Sequence, residues 1–155
     1  MKALLVAAAL AASPPVETIT YHVSPCEGTC PGYMVTVSSN GQAIYYGEYF
    51  VAIKGKRSFR VTPAEFAAFR ASLAPYRPKQ GQEVLVDRGS ALCPEFAFDA
   101  PSIEITWSSE GRPGERLLSN DGCINAKVPP EMWRTLSHAV ESLPVAEFVG
   151  RRTRR

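Results

Sequence analysis

Four cysteines carry most of the chemistry this chain could perform. Cys26 and Cys30 sit in the run Pro25-Cys26-Glu27-Gly28-Thr29-Cys30-Pro31-Gly32-Tyr33, and Cys93 and Cys123 stand far apart. Thiols so placed exchange electrons, hold zinc or cross-link. Electron exchange at Cys26 and Cys30 would make a thiol–disulfide redox protein. Against it, the spacing is C-x3-C rather than C-x2-C, and no strand-to-helix junction lowers a thiol pKa. Zinc held by four thiolates needs paired short spacings, which Cys93 and Cys123 lack. In a small exported chain four cysteines read first as two disulfides. Of three connectivities, Cys26–Cys30 with Cys93–Cys123 is preferred, because Gly28 lets the short loop bend until its Cα atoms come within about 6 Å. The longer bond would close about 30 residues and stabilise by roughly 3 to 4 kcal/mol.

Other reactive groups do not assemble. His22 and His138 are the only histidines, and neither stands in an H-E-x-x-H pattern. His22 falls opposite Ile19 and Tyr21 on a strand, and His138 lies two residues past an inward Leu136, so both are expected at the surface. There is no G-x-S-x-G elbow and no glycine-rich phosphate loop. Glu95, Asp99 and Glu104 read as solvated carboxylates. This reading assigns no catalytic residue, no cofactor or cofactor-binding residue and no metal ligand, and it favours a protein that is not an enzyme. Aromatic residues remain. Tyr45, Tyr46, Tyr49 and Phe50 crowd one strand, and because strand neighbours alternate, some must leave the core. Tyr45, Tyr46 and Tyr49 are therefore the candidate contact surface for a protein or glycan. The competing reading is that tyrosines sit half-exposed on any sheet.

The elements that would position these residues follow from periodicity. Thr18 to Val23 alternates, as do Tyr33 to Ser38 and Ala43 to Glu48 around Ser39-Asn40-Gly41, the strongest hairpin signal in the chain. Tyr49 to Ile53 is expected to extend the sheet, Lys54-Gly55-Lys56 to turn it, and Ser58 to Val61 to return. Thr62-Pro63-Ala64-Glu65 is a capping box that opens a helix with Phe66, Phe69 and Leu73 inward. Pro75 and Pro78 end it. Val84-Leu85-Val86 reads as a short strand, followed by a loop with Cys93. Ile103, Ile105 and Trp107 alternate on another strand, Glu110 to Gly114 turns, and Glu115 to Ser119 returns. A second helix is expected from about Pro130 to Leu143, with Met132, Trp133, Leu136, Val140 and Leu143 inward and Pro144 as its stop. The fold class is α+β: an antiparallel sheet of hairpins with two amphipathic helices on one face. The two halves share this plan, which is either a worn duplication or the common way to write a strand-to-helix junction.

Composition bounds the rest. The 155 residues, 45% apolar and 21% charged, suit one domain with a real core. Residues 1–12 read as a signal peptide: Lys2, the apolar run Ala3 to Leu10, and an A-x-A site at Ala9-Leu10-Ala11. That run is too short to span a bilayer, which takes roughly 20 residues. The expected layout is a spacer at 13–18, one domain at 19–145 and a basic tail at 146–155. Without Lys2 there are 16 basic and 15 acidic residues, and four of the basic ones lie in Arg151-Arg152-Thr153-Arg154-Arg155. The remaining body is thus 12 against 15, a net of −3. Such an arm could meet anionic headgroups or nucleic acid; the default expectation is a solvated terminus and no nucleic-acid partner.

The Cys26 to Tyr33 run, with the hairpin at Gly41, Tyr46-Gly47, Lys54-Gly55 and the Pro-x-Glu helix start, resembles a bacterial family catalogued as domain of unknown function 6438. Asp99-x-Pro101 and the strand after it resemble that family's second half, and the likeness runs from about Ile19 to Leu143. Cys93 and Cys123 lie outside the pattern and suggest a subgroup feature. The resemblance implies an exported or envelope-associated domain, periplasmic or secreted, and carries over no catalytic residue. The expected function is a binding or structural module of the bacterial envelope with an unknown protein or glycan partner; the alternative is redox exchange at Cys26 and Cys30.

Overall fold

The alternating stretches of the first sixty residues become four strands. The computed structural model describes residues 13–150; the expected signal peptide (1–12) and the arginines at 151–155 lie outside the described residues. Strands β1 (Glu17–Ser24), β2 (Gly32–Ser38), β3 (Gln42–Tyr49) and β4 (Gly55–Arg60) pair as an antiparallel meander. Asn40-Gly41 makes the β2–β3 turn. Gly41 takes a φ of +85°, and the Gln42 amide donates to Asn40 Oδ1 at 3.1 Å, the side-chain-to-backbone bond that suits asparagine to turns. Tyr49 to Ile53 does not extend β3 as expected. The chain leaves the sheet at Phe50, whose φ is +49°, and the 50–54 loop folds back so closely that a Cβ at Gly47 would collide with the Ile53 carbonyl.

Helix α1 (Pro63–Leu73) opens on the expected capping box: Thr62 Oγ1 accepts from the Glu65 amide at 3.2 Å, and Glu65 Oε2 accepts from the Thr62 amide at 2.7 Å. Then follow β5 (Glu83–Val86), β6 (Glu95–Phe96), β7 (Ser102–Ser109), β8 (Arg112–Asn120), β9 (Cys123–Ile124), α2 (Met132–Ala139) and α3 (Ala146–Val149). The main sheet runs β4-β3-β2-β1-β7-β8-β5, with β6 and β9 as a separate pair.

The α+β class holds, with corrections. Strand β5 lies parallel to β8, not antiparallel. Strand β8 starts at Arg112 rather than Glu115, because the β7–β8 hairpin pairs Ser109 with Arg112, while β5 pairs only with the second half of β8. Pro113, which cannot donate a ladder hydrogen bond, sits where β8 is still an edge. The folded unit also exceeds the expected 19–145. It begins with β1 at Glu17, inside the expected spacer, and it includes α3, inside the expected tail: the amides of Ala52 and Ile53 donate to Val149 O and Phe148 O.

The helices bury one face of the sheet. Across it, Ile19, Tyr21, Val35, Tyr45 and Ile105 are fully buried. A line of rings runs Tyr21–Tyr33–Tyr45–Phe148, with centroids 6.5, 6.0 and 5.3 Å apart. The hydroxyls in this line find partners, as buried polar groups must: Tyr21 donates to Leu136 O at 2.9 Å and Tyr45 to Phe148 O at 3.2 Å. The second bond anchors α3. The other face carries Thr18, Thr20, His22, Met34, Thr36, Tyr46, Glu104 and Arg116, and none of these side chains is fully buried.

Candidate functional site

Both preferred disulfides are formed, and they hold different parts of the chain. Cys26–Cys30, with Cα atoms 5.4 Å apart, closes the corner between β1 and β2. Its loop, Glu27 to Thr29, is exposed, and the Gly28 amide donates to Cys26 Sγ at 3.4 Å. Cys93–Cys123, with Cα atoms 5.2 Å apart, ties the segment after β5 to the turn after β8. Cys93 is buried, and Cys123 Sγ lies 3.3 Å from Val86 O at the end of β5.

A cleft of about 610 Å³ opens between these two bridged regions, on the helix side of the sheet. Its floor is Tyr21, Val23 and Ile103 from β1 and β7. One wall is the first corner, Thr29-Cys30-Pro31. The facing wall is Pro101 and Asp121, two residues before Cys123. Trp133 and Ser137 of α2 form a third side, and Phe50, Val149 and Gly150 the rim. Helical spacing sets Trp133 and Ser137 on one face, since residues four apart lie one turn above each other.

Asp121 supplies the only carboxyl among the described lining residues. Burial pushes its pKa above the usual carboxylate value, because desolvation penalises the charged form. Its backbone is fixed. The Asp121 amide donates to Pro101 O at 3.0 Å, and the Gly122 amide donates to Asn120 Oδ1 at 2.8 Å. Ala97 donates to Gly122 O at 2.8 Å, an approach so close that a Cβ at Gly122 would collide with the Ala97 carbonyl. The Ser137 hydroxyl donates to Arg134 O at 3.0 Å, which leaves its oxygen free to accept. The cleft thus offers aromatic and aliphatic walls, one carboxyl at its exposed edge and the hydroxyls of Tyr21, Thr29 and Ser137, a set suited to hold a ligand. It offers no nucleophile with a base beside it, and neither histidine lines it.

The expected contact surface does not form as one patch. Tyr45 is a correction: it is fully buried, bonded to Phe148 O, and burial pushes its pKa up to about 12. Its phase of β3 faces the core, so Tyr46 faces out on the open face. Tyr49 packs over Gly32 beside Pro25 at the cysteine corner. Both Tyr46 and Tyr49 remain about half exposed. His22, on the open face, lies 3.9 Å from Glu48, and the exposed His138 meets Glu141 at 2.8 Å. Among the described residues no group of three or more His, Cys, Asp or Glu is placed to hold a metal ion, and no helix is long and apolar enough to cross a membrane.

Over residues 17–144 the chain matches the family described as Domain of unknown function (DUF6438). The chain belongs to this family. No match was found among curated proteins or among solved structures. The family match spans the first disulfide, Asp121, Trp133 and Ser137, so the cleft's walls other than Val149 and Gly150 lie within it. Sequence reasoning missed Asp121 and Ser137 as site residues and took Trp133 only as an inward residue. No spacing in the chain joins them, because the cleft is assembled from segments that lie as far apart in sequence as Tyr21 and Gly150.

Proposed function

We propose that this domain is an exported, non-catalytic binding module that takes a small amphipathic ligand into the cleft. The observation that supports it most is that the disulfide-bonded corner at Cys30 and the turn at Asp121, two residues before Cys123, face each other across one cavity, whose size falls in the range of small-molecule sites, about 300 to 1,000 Å³. A ring or short aliphatic chain would lie against Trp133 and Ile103. A cationic or hydrogen-bond-donating group would meet Asp121. Such a ligand is an amine, an amino sugar or a short peptide with a free amino end, matching an envelope partner of glycan or peptide type. Saturation-transfer NMR against a panel of these compounds tests it. Binders should be found for the parent protein and lost in Ser137→Trp, which fills the cleft from α2. A panel with no binder, or binders unaffected by that substitution, removes the proposal.

The redox alternative has one observation in its favour: Cys30 of the partly exposed Cys26–Cys30 bridge lines the cleft, where a second thiol could reach it. A prereduced domain would pass two electrons to an insulin disulfide and re-form Cys26–Cys30. Insulin precipitation no faster than in a Cys26→Ser/Cys30→Ser control disposes of it.

A further inference from the structure

A second cavity, of about 440 Å³, lies where β1 begins, at the opposite end of that strand from the first cleft. It forms between the last turn of α1, the segment after that helix and the β7–β8 hairpin. The sheet register aligns Glu17 with Ser109 and Ser109 with Arg112, so three adjacent strands carry these residues in one row. Neighbouring strands lie about 4.8 Å apart, which sets Arg112 about 10 Å from Glu17 along that row.

Arg77, in the segment after α1, is the fixed centre of this cavity. It donates to Glu17 and, at 3.0 Å, to Glu115 Oε2, and its guanidinium carbon lies 5.6 Å from the centre of the Trp107 ring. Glu115 is buried, which a carboxylate tolerates only when paired. Glu17 Oε2 also accepts from Arg70 Nε at 2.8 Å.

The charges here do not balance. Arg70, Arg77 and Arg112 meet only two carboxylates in the cavity wall. The excess faces solvent: the side chains of Glu17 and Glu115 are 17% and 9% exposed, and that of Arg70 is 58% exposed. Among the described residues no hydrogen bond or ion pair engages the terminal nitrogens of Arg70, and the exposed Arg112 is in no ion pair. Lys79 and Glu110 flank the lining residues in sequence and offset one another.

Ion pairs in this place also tie α1 to the sheet. Arg77 and the Nε of Arg70 suffice for that tie, which leaves Arg112 and the open fork of Arg70 without a task. We propose that this cavity binds the carboxylate or phosphate group of a small organic anion between Arg70 and Arg112. A planar guanidinium presents paired N–H donors that match two oxygens of either group. Arg77 neutralises Glu17 and Glu115, so an incoming anion meets carboxylates already paired. Ser109 and Gln80 add hydrogen-bonding groups, and Pro15 and Pro113 add apolar wall for a short carbon skeleton. The volume lies within the range of small-molecule sites, about 300 to 1,000 Å³.

NMR titration of the oxidised chain, following backbone amides and arginine Nε–H groups, tests this with glycerol 3-phosphate and with succinate. Glycerol serves as the uncharged control. At least one of the anions should shift Arg70, Ser109 and Arg112 to saturation, glycerol should not, and added sodium chloride should weaken the binding. The tighter of the two anions assigns the site to phosphate or to carboxylate. Arg112→Gln should lower the affinity by about tenfold or more. That substitution breaks no ion pair, so the variant keeps the fold and its result is read directly. No saturable shift with either anion, equal shifts with glycerol, undiminished affinity in Arg112→Gln, or shifts confined to Trp133 and Ser137 in the first cleft would each overturn the proposal.

Discussion

The two disulfides of this domain do different work. Cys93–Cys123 spans a sequence separation of 30 and sits against the core at the end of β5. Cys26–Cys30 spans a separation of four in an exposed corner. Loop-closure entropy grows with the logarithm of loop length, so the first bond restrains the unfolded chain more than the second. The second instead fixes the local shape of a cleft wall. One bond mainly holds the fold together; the other mainly shapes the cleft, and Asp121, two residues from Cys123, faces it from the far wall.

Breaking the bonds separately should expose this division. Cys93→Ser/Cys123→Ser is expected to lose about 3 to 4 kcal/mol of stability in denaturant titration. Cys26→Ser/Cys30→Ser should lose only about 2 kcal/mol, yet it should weaken cleft ligands more than the first pair does when both variants are compared while folded. Equal effects on stability and ligand binding would mean the bonds are interchangeable.

A smaller effect comes from the rim of the cleft, where Tyr45 anchors α3. Its pKa is raised from 10.0 to about 12. Below pH 10 both folded and unfolded states keep the proton and nothing changes. As pH rises from 10 to 12, the unfolded state releases the proton first and stability falls. Tyr45→Phe removes the hydrogen bond to Phe148 O, about 1 kcal/mol at neutral pH. Its melting temperature should decline less than the parent's between pH 10 and 12.

The smallest effect is at Asp121. Its raised pKa means that ionisation opposes folding, so its contribution worsens as pH rises through the carboxylate range. Asp121→Asn should melt slightly higher than the parent at pH 7, match it near pH 3, and bind cationic ligands more weakly. A lower melting temperature at pH 7 would show that the ionised carboxyl has a stabilising partner.

Local signals were legible where a single stretch determines its own geometry. Asn40-Gly41 makes a turn by its own backbone and side chain, Thr62 and Glu65 satisfy each other's amides, and Gly28 lets two nearby cysteines meet. Illegible features depend on distant partners. The direction of β5 is set by β8, some thirty residues on. The phase of β3 was hidden because its buried positions are Ala43, Tyr45 and Gly47, while Ile44 and Tyr46 face out. Hydrophobicity alone inverts that strand. Gly47 is required because the 50–54 loop lies on it, a contact that no periodicity encodes. The cleft was illegible for the same reason: its carboxyl, its indole and its disulfide come from separate elements.

The most direct measurement is an amide-resolved NMR titration of the oxidised domain with any binder from the ligand panel. Binding in the cleft predicts shifts concentrated at Thr29 to Pro31, Asp121, Trp133 and Ser137, and their loss in Ser137→Trp. Shifts confined to the open face, at Ile44, Tyr46 and Lys56, would contradict it.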